Sequence, residues 1–408
     1  MLYQEKKYGL PSNETEDIME FAAKRKNPIL KSIEFSILSP AAIKKEEWET
    51  LYLKSDSKNI YCHPSYIQAI TEILPSNFHP DYMIALHNGE GFVLLQPVKI
   101  RLTWLGLSLE FLKPFMGEHV EPLCTPEHKT EYFHAMMDFI IQEIRPNLIF
   151  GRALNADFTA FLTEKRADLK AKVTNTYRVP YLQLPGTLDG LLNQYKPKFK
   201  RELLRRVRVA EKDGIEVRIV EADHHPDNYT MEDALENLSK LHQLRWGKNG
   251  HGRYDFSKKT IQEFHNQVIK HTGGSDILYP SFLELLHHGK VIGSLYALVT
   301  PTTCVFYYHS FDPAYRSSGL GNLLLIHILK YAIDKNLQLF DFKRGEDAYK
   351  YTWSSEWDPN YDVSIPMDWR GKVMLKNKKL REQLKFQEKL EAGLRKMYKR
   401  IFPSMILQ

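Results

Sequence analysis

The chain of 408 residues is 43% hydrophobic, 26% charged and 12% aromatic, which excludes a disordered or low-complexity polymer and predicts two globular domains of roughly 150–200 residues each. Its net charge of +6 is uneven: from Gly371 to Arg400 eleven Lys and Arg stand against three Glu, so this segment carries +8 and the remainder about −2. No apolar run is long enough to span a membrane, and Met1–Lys7 lacks the apolar region of a secretory signal, so the expected location is the cytoplasm.

Residues 1–32 are polar and weakly patterned and read as a leader. Ile33, Phe35 and Ile37 alternate with polar neighbours, predicting a strand over Ser32–Leu38. A helix over Ala42–Lys54 follows, then strands at Tyr82–His87, Gly91–Ile100 and Ser108–Leu112, a helix over Thr130–Ile144 and a strand at Asn147–Gly151. These make a first α/β domain, 33–183. The turn-rich Leu184–Gly190 opens a second, 184–369. It starts with a basic helix carrying Lys196, Lys198, Lys200, Arg201, Arg205, Arg206 and Arg208, then a strand at Ile215–Val220 and helices at Met231–Trp246 and Lys259–His271. Strands at Phe282–Leu286, Val291–Val299 and Cys304–Phe311, a buried helix over Leu320–Ile333, and strands at Gln338–Phe342 and Asp362–Trp369 complete it. Residues 370–408 read as a basic amphipathic helix. The shared element order of the two halves suggests an internal duplication.

The strongest local signal is Phe306-Tyr-Tyr-His-Ser-Phe-Asp-Pro-Ala-Tyr-Arg-Ser-Ser-Gly-Leu-Gly321. A strand runs through a glycine-containing turn onto a helix N-terminus, whose unpaired N–H groups and dipole favour an anion. Gly319 and Gly321 permit close backbone approach, and Arg316 adds a guanidinium suited to phosphate. The same glycines would also serve a plain strand-to-helix turn. The spacing is neither a P-loop nor a Rossmann fingerprint.

Arg-x-x-Gly-x-Gly between strand and helix resembles the pyrophosphate loop of the GNAT acyltransferases. The order of Leu241–Gly247, Phe264-His265, the Gly293 strand, Arg316–Gly321 and Asp341–Lys350 is similar to that of the CelD/BcsL-like group, GNAT relatives with the tandem plan of the FemAB peptidyltransferases. In the first half, Tyr61–Tyr66 resembles that group's early aromatic-rich element, while Gly117–Glu121 stands where relatives carry an Asp-containing segment. The implied fold is α/β with mixed sheets and tandem GNAT-like domains. The implied reaction is acyl transfer from acetyl-CoA or another acyl-CoA to an amine or hydroxyl, on a small-molecule, nucleotide-linked or lipid-linked sugar of cell-envelope polysaccharide synthesis. Arg316, Ser317, Ser318, Gly319, Leu320 and Gly321 would hold the cofactor. Tyr349 is the positional match for the acid that protonates the leaving thiolate, or else a pocket-wall aromatic.

Glu346 and Asp347 would position the acceptor, and Lys350 would pair with an anionic group; an ion-pair network with Lys343 and Arg344 explains them equally. His242, Arg245 and Trp246 share a helix and would wall the acceptor site, unless capping and stacking account for them. His265 is either a site residue or a core histidine. Cys62, Cys124 and Cys304 lack metal-ligand spacing and read as buried free thiols, with no metal expected. Segment 371–400 would lie on an anionic membrane surface or pack on the body. The basic helix lacks interleaved aromatics, which argues against nucleic acid. Two other readings stay open: a FemAB-like transferase using aminoacyl-tRNA, and a non-catalytic scaffold.

Overall fold

The computed structural model describes residues 33–57, 59–74, 79–113, 115–226, 228–247, 256, 258–345 and 347–377. The leader 1–32, Glu346 and the part of the basic helix beyond 377 lie outside the described residues.

The first half runs β1 (Glu34–Leu38), α1 (Lys45–Lys54), α2 (Pro64–Ile73), β2 (Tyr82–His87), β3 (Phe92–Thr103), β4 (Gly106–Phe111), β5 (Leu123–Cys124), α3 (Lys129–Phe139), β6 (Leu148–Leu154), α4 (Ala156–Ala160) and β7 (Lys172–Gln183). The second runs α5 (Leu188–Leu192), α6 (Pro197–Lys212), β8 (Ile215–Val220), α7 (Met231–Trp246), α8 (Lys259–Thr272), β9 (Tyr279–His287), β10 (Lys290–Val299), β11 (Thr303–Phe311), α9 (Leu320–Asp334), β12 (Leu339–Asp341), α10 (Ala348–Trp353) and β13 (Glu356–Pro366), with residues 369–377 helical after it. Local chemistry explains many of these bounds. Thr230 and Asp233 form a reciprocal capping box that starts α7. Pro40–Ala42 form a 3₁₀ turn, so α1 begins at Lys45 rather than at Ala42. The helix predicted over Thr130–Ile144 is α3 continued by a π-turn at Ile140–Ile144.

One sheet joins the two halves, in the order β1-β2-β3-β4-β6-β13-β7-β12-β11-β10-β9-β8. Each half supplies four antiparallel strands and then a parallel neighbour: β4 beside β6, and β11 beside β12. The final strands are exchanged. β7, the last of the first half, lies against β12, whereas β13, the last of the second, lies against β6; the two exchanged strands pair with each other at the centre. The repeated order is the shared plan anticipated from the sequence. β13 begins six residues before the predicted Asp362 and ends at Pro366, because its partners are long-range strands rather than local alternation. α2, α4, β7 and α10 have no counterpart in the elements read from the sequence.

Strand alternation sends side chains to different cores. Met83 and Ala85 join a cluster with Trp48, Tyr66, Leu235, Phe264 and Val305, which spans both halves on one face. Ile84 and Leu86 turn to the other face, under Phe133 and Met136 of α3. The matching cluster of the second half packs α9 and Leu203 of α6 against Leu295, Cys304 and Phe340. The face-spanning cluster makes the two halves one packed body. All three cysteines are buried and free.

Candidate active site

β11 and β12 pair only at Thr303–Val305 with Leu339–Asp341, after which β11 runs on to Phe311. On its other side, the register with β10 shifts between Tyr296↔Tyr308 and Ala297↔Phe306, leaving Tyr307 as a bulge. Beyond Val305, β11 therefore presents backbone that β12 does not use, beside a wedge between two parallel strands.

At the end of β11 the loop is shaped by specific contacts. The Asp312 carboxylate accepts the Ala314 N–H at 3.0 Å and pairs with Lys290 at 3.0 Å, starting the 3₁₀ turn Pro313–Ser318. Gly319 follows at φ +71°, and its carbonyl accepts the N–H groups of Asn322 and Leu323 at 3.0 and 3.3 Å. The N–H groups of Leu320 and Gly321 lie in the first turn of α9, ahead of its hydrogen-bond ladder. Arg316 and Ser317 are exposed. A cavity of about 190 Å³ beside Ser317 and Ser318 is bounded by Arg205 and Arg206 of α6. Arg206 lies so close that a Cβ on Gly319 would meet its Nη1 at 2.1 Å. The residues present suit a pyrophosphate: a left-handed glycine, helix N–H groups and guanidinium groups from two elements. Arg206, one of the cations of the basic helix, thus stands beside the loop. Only the tertiary packing of α6 on α9 brings it here.

Arg245, His309 and Tyr349 gather around the wedge, against the rings of Phe306 and Phe311. Arg245 lies over the Phe311 ring at 4.3 Å and over Trp246 at 4.9 Å. Burial and the nearby Arg316 hold its pKa below the usual guanidinium value, opposed by Tyr349 and Asp347. Tyr349 meets His309 edge-on at 5.6 Å and Phe306 at 6.3 Å. Burial, then Asp347, raises the Tyr349 phenol well above its ordinary range, so it is neutral. His309 is pulled down to about 3 by burial and by the charges of Arg245 and Lys350 and the neighbouring His242, so it is a neutral imidazole. His309 stood inside the motif but was not singled out, since nothing in sequence spacing says that β11 turns it toward α7 and α10.

The other predicted residues fall into separate surroundings. The Lys350 ammonium donates to the carbonyls of Lys343 and Arg344 at 3.2 and 3.1 Å and lies 3.7 Å from Asp347, bracing the 343–347 loop. His242 is buried on α7, edge-on to Tyr308 at 6.1 Å. Trp246 is exposed at 43%. His265 is fully buried among Phe256, Phe264, Tyr296 and Tyr307, and burial, then Lys343, holds its pKa well below the ordinary imidazole value.

A second cavity, of about 300 Å³, lies between the halves and reaches the same strands. Asn59, Tyr61, His119 and Glu121 line it from the first half, and Val305, Asp341 and Asp358 from the second. Asn59 ties its wall together by donating to the carbonyl of His119 at 2.7 Å while accepting the Tyr61 N–H at 3.0 Å. His119 Nε2 stands 3.8 Å from Asp341. Beside it the buried Lys343, at φ +59°, sets its ammonium 3.7 Å from the Tyr307 ring centre. Burial brings Lys343 down to about 7, against the opposing charges of Glu118 and Asp341. Segment Gly117–Glu121, which departs from the family pattern, thus lies against Asp341 and the loop that follows it. About 220 residues separate these groups in sequence, too far for any local pattern to connect them.

Residues 197–351 match the family model described as an acetyltransferase (GNAT) domain. No curated protein sequence matches the chain. Among solved structures the chain is similar to FemX, at 9% identity and a TM-score of 0.56, covering 82% of this chain and 98% of that one. It is also similar to the C-terminal domain (DUF2156) assigned to a lysylphosphatidylglycerol synthetase of Agrobacterium fabrum, at 12% identity and a TM-score of 0.51, covering 82% and 96%. At these identities the likeness is one of fold. The matched segment contains the loop, α7, the wedge and Tyr349. The second half carries a GNAT-superfamily domain, and its class is acyltransferase. No helix among the described residues is long and apolar enough to cross a membrane.

Proposed function

We propose that the protein transfers an acyl group, acetyl as the simplest case, from a CoA thioester to an amine or hydroxyl of a sugar in cell-envelope polysaccharide synthesis, as the resemblance to the CelD/BcsL-like group implies. The observation that carries this reading is the convergence of the Gly319 loop, Arg245, His309 and Tyr349 on the wedge between β11 and β12. Arg316, Arg206 and the first N–H groups of α9 hold the pyrophosphate. The free backbone of β11 beyond Val305 is available to the amides of the pantetheine arm. The thioester supplies an activated acyl carbon. Tyr349, kept neutral by its surroundings, holds a proton for the departing thiolate. The acceptor occupies the cavity between the halves, where Asp341, His119 and Asp358 supply polar groups.

The test is release of free CoA thiol from acetyl-CoA and longer acyl-CoAs in the presence of amino sugars and of nucleotide-linked and lipid-linked sugars. Turnover with one acceptor class and loss of it in Tyr349→Phe support the reading. The likeness to FemX favours a second reading, transfer from aminoacyl-tRNA, at the level of fold alone. That reading gains if charged tRNA is a donor and acyl-CoA neither binds nor reacts.

A further inference from the structure

One rim of the sheet carries large apolar side chains that the other described residues leave exposed. In the β3–β4 hairpin, Leu102 is 56% and Trp104 85% exposed, and at the start of the 369–377 helical turn Trp369 is 64% exposed. Strand register puts these on the same side of the molecule. Arg101 pairs with Ser108, Ser108 with Leu148, and Leu148 with Pro366, so the hairpin tip and the residues after β13 project from one edge. Packing fixes the two together. Leu105 of the tip is buried in one cluster with Leu148 and Met374, and Asn147 donates to the Asp368 carboxylate at 2.8 Å.

The charge around these residues is positive. Arg101, Arg370 and Lys372 are exposed beside them, and Lys172 reaches the same rim through its pairing with Ser364. The nearby acids are engaged: Asp368 accepts from Asn147 and from the Gly371 N–H, and Asp168 pairs with Arg166. Of the basic segment 371–400, the described part places Lys372 and Lys376 exposed just after Trp369 and Arg370.

We propose that this rim docks on an anionic lipid bilayer, with Trp104, Leu102 and Trp369 entering the interface and the flanking Arg and Lys meeting lipid phosphates. Tryptophan suits that depth because its ring is apolar while its N–H remains hydrated. Each exposed cation near such a surface adds attraction that salt screens. β13 connects the rim at Pro366 with the cavity between the halves at Asp358 and Pro359, seven residues or about 23 Å away along an extended strand. An acceptor anchored in the membrane would have to carry its reacting group about that far from the bilayer surface to meet the site.

The experiment is co-sedimentation of the full chain with vesicles of phosphatidylcholine alone and of phosphatidylcholine containing phosphatidylglycerol. Binding to the anionic vesicles only is expected, weakening with salt, and falling about tenfold in Trp104→Ala combined with Trp369→Ala. Arg101→Glu with Lys372→Glu should lower it while leaving Arg370 over the Trp369 ring. Melting curves and their response to CoA should be unchanged in both pairs, so a failure here is separate from failure of the acyl-CoA reading. Absence of vesicle binding by the wild type, or equal binding by the tryptophan pair, overturns the proposal. So does a tryptophan pair that leaves vesicle binding intact and alters self-association instead, since the face is then a protein interface.

Discussion

The hydroxyls of Tyr66 and Tyr307 lie 2.6 Å apart, joining α2 of the first half to the bulge of β11 in the second. Tyr66 donates its proton to the Phe115 carbonyl at 2.6 Å, so in the Tyr66–Tyr307 pair the proton comes from Tyr307, whose other acceptor is Met116 Sδ at 3.6 Å. Both rings are buried, and burial raises the Tyr307 phenol well above its usual range. The residue that interrupts the strand at the wedge is thereby held by the other half of the protein.

This chain of bonds predicts unequal costs. Tyr307→Phe removes one donor and leaves the Tyr66–Phe115 bond, so about 1 kcal/mol of stability should be lost. Tyr66→Phe removes both the donor to the Phe115 carbonyl and the acceptor of the Tyr307 hydroxyl and should cost about 1–3 kcal/mol. Urea unfolding measures both, and the reverse order would contradict the assigned donor direction.

Gly319 and Arg206 are predicted to act together. At φ +71° an alanine is strained, and its Cβ would displace the Arg206 guanidinium. Gly319→Ala should weaken CoA binding about tenfold or more, and Arg206→Ala should weaken it without backbone strain. Calorimetric titration with CoA reads both; unchanged affinity in Arg206→Ala would remove that arginine from the site.

Tyr349→Phe separates a proton donor from a pocket wall. As the acid, its loss should lower turnover by about 10²–10⁴-fold while CoA binding is retained. Steady-state rates with little change would leave Tyr349 as packing for His309.

Lys343 imposes a pH dependence with a definite sign. Its folded value of about 7 lies below the ordinary 10.5, so between these values the unfolded chain binds more protons. The penalty of the buried ammonium is complete below pH 7 and is relieved as pH rises toward 10.5, so stability increases with pH in that window. Burial lowers Lys113 and Lys350 in the same direction, so the comparison must be with a variant. Lys343→Met should flatten the rise between pH 7 and the onset of tyrosine ionisation. An unchanged slope would mean that Lys343 is not buried as a charged group.

Much of the fold was readable because its elements carry their own signals. α7 has a capping box and helical apolar spacing, and β8 alternates at Ile215, Val217 and Ile219. β7 carries no such signal because Lys172–Thr176 are exposed and, Val173 apart, polar, so no period of two marks the strand. Its place at the sheet centre comes from β13 and β12 and not from its own composition. The start of β13 was hidden likewise by Glu356-Trp-Asp-Pro359. At the site, the anion loop was readable because all its parts are contiguous. Arg206 was not, because only the packing of α6 on α9 brings it in, and Glu118, His119 and Lys343 were not, because packing between the halves brings them together from distant positions.

The central claim is that the loop at Arg316–Gly321 holds an acyl-CoA. The most direct measurement is the melting temperature of the purified chain with CoA, acetyl-CoA and longer acyl-CoAs, beside Arg316→Ala. At about 100 times its dissociation constant a ligand adds about 2.7 kcal/mol of stability, which a melting curve resolves. A rise with CoA compounds that is lost or sharply reduced in a folded Arg316→Ala is the predicted result. No rise with any CoA compound in the folded wild-type protein would contradict the account.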